Sequence, residues 1–128
     1  MNLLLDTHVL LWAAYDPARL SARASNLILN PANSIYFSVA SIWEVAIKAS
    51  LGRADFAVDP AVLRMSLIAN EYNEIQIEAA HVLRVATLPP LHADPFDRIL
   101  LAQAMAEGFV LLTQDAKVID YRGPVWGV

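Results

Sequence analysis

The chemistry open to this chain lies mostly in its acidic side chains. Asp94 and Asp97 flank a Pro-Phe pair in LHADPFDRILLAQA, at the mouth of an almost wholly apolar run. Asp6, Glu44 and Asp115 stand near the ends of other apolar segments. Each acid has a local explanation. Asp94 before Pro95 has the form of a helix N-cap, with Asp97 in the first turn facing the positive end of the helix dipole. Ser41 and Glu44 have the S-x-x-E spacing of a capping box, and Glu44 can pair with Lys48 one turn on. Asp6 and Asp115 suit turns or the starts of following helices. If Asp6, Glu44, Asp97 and Asp115 met at one edge of a fold, however, they would repel one another and raise each other's pKa unless a cation joined them.

An all-oxygen set of this kind calls for a hard cation, Mg²⁺ or Mn²⁺. Such a site orients water, lowers its pKa and neutralises the charge that grows on a phosphate as a P–O bond breaks. Metal-assisted phosphoryl chemistry follows, with phosphodiester hydrolysis as its natural case. Zinc is disfavoured: the chain has no cysteine, and His8, His81 and His92 are scattered without an HExxH spacing. A lone histidine is usually an ordinary surface or core residue. No glycine-rich phosphate cradle is present, which removes the case for an ATPase.

These acids need elements to position them. Apolar runs at 2 to 5, 34 to 38 (SIYFS) and 109 to 113 (FVLLT) read as buried strands, EIQI at 74 to 77 as a more exposed one, and a brief fifth is expected near Val125 and Trp126. Helical segments fall at about 7 to 14, 21 to 29, 39 to 51, 60 to 72, 78 to 86 and 95 to 107. Gly52 and Gly108 sit at C-terminal stops, and Asp59-Pro60 and Asp94-Pro95 each supply a cap and a first-turn proline. Alternating strand and helix predicts an α/β fold with a mainly parallel sheet of four to five strands and helices on both faces. In such sheets the functional edge is the carboxyl end of the strands, which all four acids can reach.

A chain of 128 residues makes one domain, residues 1 to 128. It is apolar for its size, with 57% hydrophobic residues and a mean hydropathy of +0.43, so a partner surface or an oligomer is expected. No apolar stretch is long enough to span a membrane, and the opening residues lack the basic start of a signal peptide. Cytoplasmic residence fits. The net charge of −4 argues against nucleic acid until the four site acids are set aside, leaving 9 basic against 9 acidic residues. Lys48, Arg53, Arg98, Lys117 and Arg122 then flank the site as candidate phosphate contacts.

LLLDTHVLLWA, SVASIWEVAIKASLGR, LHADPFDRILLAQAMAEG and LLTQDAKVIDY, in this order, resemble the PIN domain family, and more narrowly its VapC-like toxin ribonucleases of type II toxin–antitoxin pairs. The resemblance spans essentially the whole chain. It implies a three-layer α/β/α sandwich and an Mg²⁺-dependent endoribonuclease, with Mn²⁺ able to substitute, that cuts structured RNA such as tRNA or ribosomal RNA. By the same resemblance Asp6, Glu44 and Asp97 anchor the metal and Asp115 completes the charge. Thr7, Ser38, Ser41 and Thr113 are candidates to steady the carboxylates or metal-bound water, with Asp94 read as a cap rather than a ligand. Lys48, Arg98 and Lys117 are candidate RNA contacts. A homodimer and a small VapB-like antitoxin are the implied partners, with Trp12, Tyr15, Ile42, Trp43 and Ile47 as candidates for the surfaces they cover. Two rival classes remain: a non-catalytic PIN-like binding module, and another Mg²⁺-dependent phosphohydrolase. The D-x-D pair of an aspartyl-phosphate phosphatase is absent, and SIYFS does not end in the phosphorylatable aspartate of a receiver-like domain.

Overall fold

A computed structural model describes residues 1 to 54 and 56 to 128. Five strands, β1 (Asn2–Leu5), β2 (Ser34–Ser38), β3 (Asn73–Ile75), β4 (Val110–Thr113) and β5 (Val125–Gly127), form one sheet in the order β3-β2-β1-β4-β5. Every pairing is parallel, with Leu4 of β1 opposite Tyr36 on one side and Leu111 on the other. The helices are α1 (Thr7–Tyr15), α2 (Ala22–Leu29), α3 (Val39–Ser50), α4 (Pro60–Ala69), α5 (Ala79–Val85), α6 (Pro95–Glu107) and α7 (Ala116–Ile119), with a single 3-10 turn at Pro17–Arg19.

Strand side chains alternate between the two faces, and the alternation builds two cores. Leu3 and Leu5 of β1, Ile35 and Phe37 of β2 and Leu112 of β4 pack on one face with Val9, Leu10, Val45, Leu63 and Leu67. Leu4 and Leu111 turn to the other face, against Leu100, Leu101, Ala102 and Ala104 of α6. The result is the expected three-layer sandwich. Because β1 is covered on both faces, its apolar side chains run without interruption.

Chain order explains where a site can form. The first three strands step outward from β1 in one direction, and then β4 returns to pair on β1's other side. That reversal opens a crevice beyond the carboxyl ends of β1 and β4, the place where open α/β sheets bind ligands. Helix ends follow the residues that mark them. Asp59 and Asp94 cap α4 and α6 ahead of Pro60 and Pro95, and α6 stops at Gly108, whose φ of 72° places it in the left-handed region.

Three details differ from expectation. Strand β3 ends at Ile75 rather than residue 77, as the chain turns toward α5 and the Gln76 carbonyl accepts a hydrogen bond from Gln103 (3.2 Å). The short α7 and the 3-10 turn hold too few residues to show a period. Ser38, not Ser41, caps α3, its hydroxyl accepting from Ala40 N at 3.0 Å. Ser41 lies inside the helix, fully buried, so the S-x-x-E spacing there is not a capping box.

Candidate active site

Asp6 closes β1 and opens α1. Its Oδ1 accepts from Val9 N at 2.8 Å, and its Oδ2 accepts the Thr113 hydroxyl at 2.5 Å from the end of the neighbouring β4. Thr113 Oγ1 in turn accepts Asp115 N at 3.0 Å, so a single hydroxyl ties the acid after β1 to the acid after β4. Thr7 repeats the device on the other flank, donating to Ser41 Oγ at 2.9 Å and joining the start of α1 to α3. One turn beyond Ser41 is Glu44, buried at 8% exposure, with its Oε2 held by Lys48 at 2.9 Å.

Asp97 enters from the first turn of α6. The Asp94 carboxylate accepts from Phe96 N and Asp97 N at 2.8 and 3.2 Å, which is the expected capping role and fixes the turn that carries Asp97. Asp97 Oδ2 lies 2.8 Å from His92 Nε2, and Asp115 Oδ2 lies 3.3 Å from the same nitrogen. Asp115 also caps α7 through Lys117 N at 2.8 Å.

The electrostatics couple Asp6 to Glu44 and to Asp97. Burial raises Asp6 above the ordinary carboxylate range, the charge of Glu44 raises it further, and the hydrogen bonds from Thr113 and Val9 oppose the rise. Burial is also the main reason Asp97 is pushed up to about 6, with the Asp94 and Asp6 charges adding to it and the His92 hydrogen bond working against it. Asp6 therefore senses Glu44, and Asp97 senses Asp6. Carboxylates held up in this way are short of positive charge, and the donors gathered here are hard oxygens suited to an Mg²⁺- or Mn²⁺-type ion. His92, Asp97 and Asp115 offer three ligand-type atoms within 4.8 Å of one another. A second such group, Glu78, His81 and Glu107, is already satisfied internally: His81 Nδ1 accepts Glu78 N at 3.0 Å and Nε2 meets Glu107 at 2.8 Å, fastening α5 to α6.

The candidate cations divide. Lys48 is spent on Glu44, while the Lys117 side chain is exposed beside Asp115. Arg98, expected as a phosphate contact, instead turns into its own structure. Its guanidinium donates to the carbonyls of Val85, Leu88 and Pro89 at 3.1, 3.4 and 2.9 Å and to Tyr121 Oη at 2.9 Å. Arg122 is exposed on the turn after α7, with φ 53°. Of the proposed surface residues Trp43, Tyr15 and Ile47 are exposed, Trp43 lying edge-on to Phe96 at 5.0 Å. Trp12 and Ile42 are half-buried, Trp12 beneath the Arg19 guanidinium and Ile42 against the core.

His92 is the residue that sequence reasoning passed over. Nothing local marks it, although its place two residues before Asp94 in an acid-rich motif was a usable signal.

Comparison with known proteins agrees with this architecture. The chain is 30% identical over 124 residues to Ribonuclease VapC22 of Mycobacterium tuberculosis, covering 96% of this chain and 94% of that protein. Its fold is similar to chains in two solved complexes. One is VapBC2 from Rickettsia felis bound to a promoter DNA fragment (TM-score 0.71, 17% identity, 100% of this chain and 99% of that one). The other is VapBC-1 from nontypeable Haemophilus influenzae (TM-score 0.67, 18% identity, 99% and 98%). The PIN domain pattern matches residues 3 to 124, and with the parallel sheet and the acids gathered at its carboxyl edge, the chain belongs to the PIN domain family.

Proposed function

We propose that this protein is a metal-dependent endoribonuclease and the toxin of a toxin–antitoxin pair, with Asp6, Glu44, Asp97 and Asp115 as its metal-holding acids. The observation that carries this reading is the geometry: Thr113 ties buried Asp6 at the end of β1 to Asp115 after β4, while Asp97 and Asp115 approach one His92 nitrogen at 2.8 and 3.3 Å. Mg²⁺, or Mn²⁺ in its place, would supply the charge these acids lack, together with an activated water and a counter-charge for the phosphate.

The protein's own part is positional. Thr113 and the α1 amide of Val9 hold Asp6 in one rotamer, and Asp94 holds the turn beneath Asp97. Such supporting hydrogen bonds set ligand direction and sharpen metal affinity. Lys117, exposed beside Asp115, is the candidate to meet a backbone phosphate. Lys48 would serve there only by leaving Glu44. Arg98 serves the loop before α6 rather than RNA. The chain carries only 9 basic against 13 acidic side chains, which favours a structured RNA such as tRNA or ribosomal RNA over indiscriminate binding of any strand.

An antitoxin partner is supported by two observations. The structural relatives are toxin–antitoxin complexes, and an open groove of about 390 Å³ runs between α1, α2 and α4. Ala13, Ala14, Ile28, Leu29, Leu67 and Tyr72 line it together with the polar Ser66 and Asn70, and Leu29 is 79% exposed. An apolar segment of a small antitoxin is the occupant we assign to it. Trp43 and Ile47, exposed on α3, are the side chains we assign to a homodimer contact. No helix among the described residues is long and apolar enough to cross a membrane, and a cytoplasmic site of action fits the RNA substrate.

The test is cleavage. Purified protein is incubated with total tRNA and ribosomal RNA in Mg²⁺, in Mn²⁺ and in EDTA, beside Asp97→Asn. Discrete products that require metal and are lost in the variant are expected. A protein that cuts no RNA and takes up no Mn²⁺ would be a binding module, and the nuclease reading would fall.

A further inference from the structure

We propose that His92 is a positioning residue for the acidic site: its Nε2–H is donated to Asp97 with Asp115 beside it, while the imidazole stays outside the metal's own ligand sphere. The inference rests on the metal-site reading above and concerns a residue to which that reading gives no role.

The hydrogen-bond partners fix where the proton sits. Asp97 Oδ2, 2.8 Å from Nε2, is a carboxylate oxygen that accepts, and Asp115 Oδ2 lies 3.3 Å from the same nitrogen as an ion-pair neighbour. On the other side of the ring, Nδ1 faces Asp94 N at 3.5 Å, and a backbone N–H can only donate. Both sides demand the same tautomer, with the proton on Nε2 and the lone pair on Nδ1. A nitrogen that carries its proton toward the Asp97 carboxylate has no lone pair for an ion. His92 therefore differs from an ordinary metal-binding histidine, whose second nitrogen donates to a carbonyl or carboxylate.

The ring is held in place by a network that reaches well beyond it. His92 N donates to Tyr121 Oη at 3.0 Å, and that hydroxyl also takes the Arg98 guanidinium at 2.9 Å. Arg98 draws in the carbonyls of Val85, Leu88 and Pro89, so the segment between α5 and α6 is gathered around one planar cation. The His92 side chain is left only 12% exposed. Two carboxylates that repel one another are thus met by a donor whose direction is set before any ion arrives. Meanwhile the second oxygen of Asp97 makes no hydrogen bond among the described residues and stays available.

Calorimetric titration of Mn²⁺ into wild type, His92→Gln and His92→Leu tests this, because the glutamine amide N–H can replace the Nε2 donor and leucine cannot. The glutamine variant should bind within about threefold of wild type and the leucine variant about 10- to 100-fold more weakly, with Mg²⁺ following the same order. A glutamine variant as weak as leucine, with the preference for Mn²⁺ over Mg²⁺ diminished, would make the imidazole a ligand and overturn the proposal. So would a leucine variant that binds as well as wild type or better. Thermal unfolding in EDTA checks that each variant is folded. If His92→Leu does not fold, imidazole ¹⁵N spectra of the metal-free wild type at mildly alkaline pH decide, since a proton on Nδ1 contradicts the assignment. Wild type that takes up no Mn²⁺ removes the metal site and this inference together, whereas wild-type binding that ignores residue 92 removes the inference alone.

Discussion

Neutralising Asp97 should stabilise the metal-free protein while removing its response to metal. Asp97 is raised from 3.8 to about 6, chiefly by burial and then by the Asp94 charge. The folded state thus holds the proton more tightly than the unfolded chain, so stability falls as pH rises between 3.8 and about 6, and the full penalty is present above that window. Taken whole, a displacement of this size corresponds to about 3 kcal/mol. The site opens to water and the Asp97 side chain is 20% exposed, so screening reduces the effect to about 1–2 kcal/mol.

Asp97→Asn keeps the oxygen that accepts from His92 and removes the charge. In EDTA at neutral pH it should melt about 3–8 °C above wild type, and the gap should close toward pH 4. Saturating Mn²⁺ should reverse the order. At about a hundredfold excess over its dissociation constant, a ligand specific for the folded state adds about 2.7 kcal/mol to wild type, and the variant should gain little. Differential scanning calorimetry across pH, with and without Mn²⁺, reads both effects. An Asp97→Asn protein no more stable than wild type at neutral pH, or a gap that persists unchanged to pH 4, would refute the argument that buried like charge strains this site.

Thr113→Val deletes the hydroxyl shared by Asp6 and Asp115 N and should lower Mn²⁺ affinity about 10- to 100-fold with a nearly native circular dichroism spectrum. Arg98→Leu strips several carbonyls of their donor and should cost about 2 kcal/mol in urea unfolding, with Arg98→Lys recovering little because an ammonium lacks the planar fork. A phosphate-contact role would instead lower cleavage and leave stability untouched. Gly108→Ala places a Cβ where nothing lies within 4 Å, so only the left-handed backbone resists it, and denaturation should show a loss of about 1 kcal/mol. Leu112→Ala empties a fully buried core position on β4, and chemical denaturation should report a loss of about 2–5 kcal/mol.

What could be read from the chain followed the range of the forces involved. Asp-Pro pairs and terminal glycines act within one turn, so the ends of α4 and α6 were legible in DP and EG. Continuous apolar runs identified β1 and β4 because strands buried on both faces carry no alternation. Asp6 and Asp115 could be placed at strand ends for the same reason. The S-x-x-E spacing at Ser41 is a local pattern that a helix capped three residues earlier, at Ser38, can contain by chance. His92 and Arg98 could not be assigned, since what defines them is contact with Asp115 and Tyr121, more than twenty residues away. Their partners emerge only when the sheet has closed.

The Thr113 to Asp6 hydrogen bond spans 107 residues, nearly the length of the domain. Asp6 precedes Thr113 in synthesis, so its carboxylate lacks its β4 support until that strand has been translated and has docked beside β1. Ordering Asp6 is thus coupled to forming β4. A polypeptide that holds Asp6 before β4 has docked would carry the acid without the hydroxyl that fixes its direction.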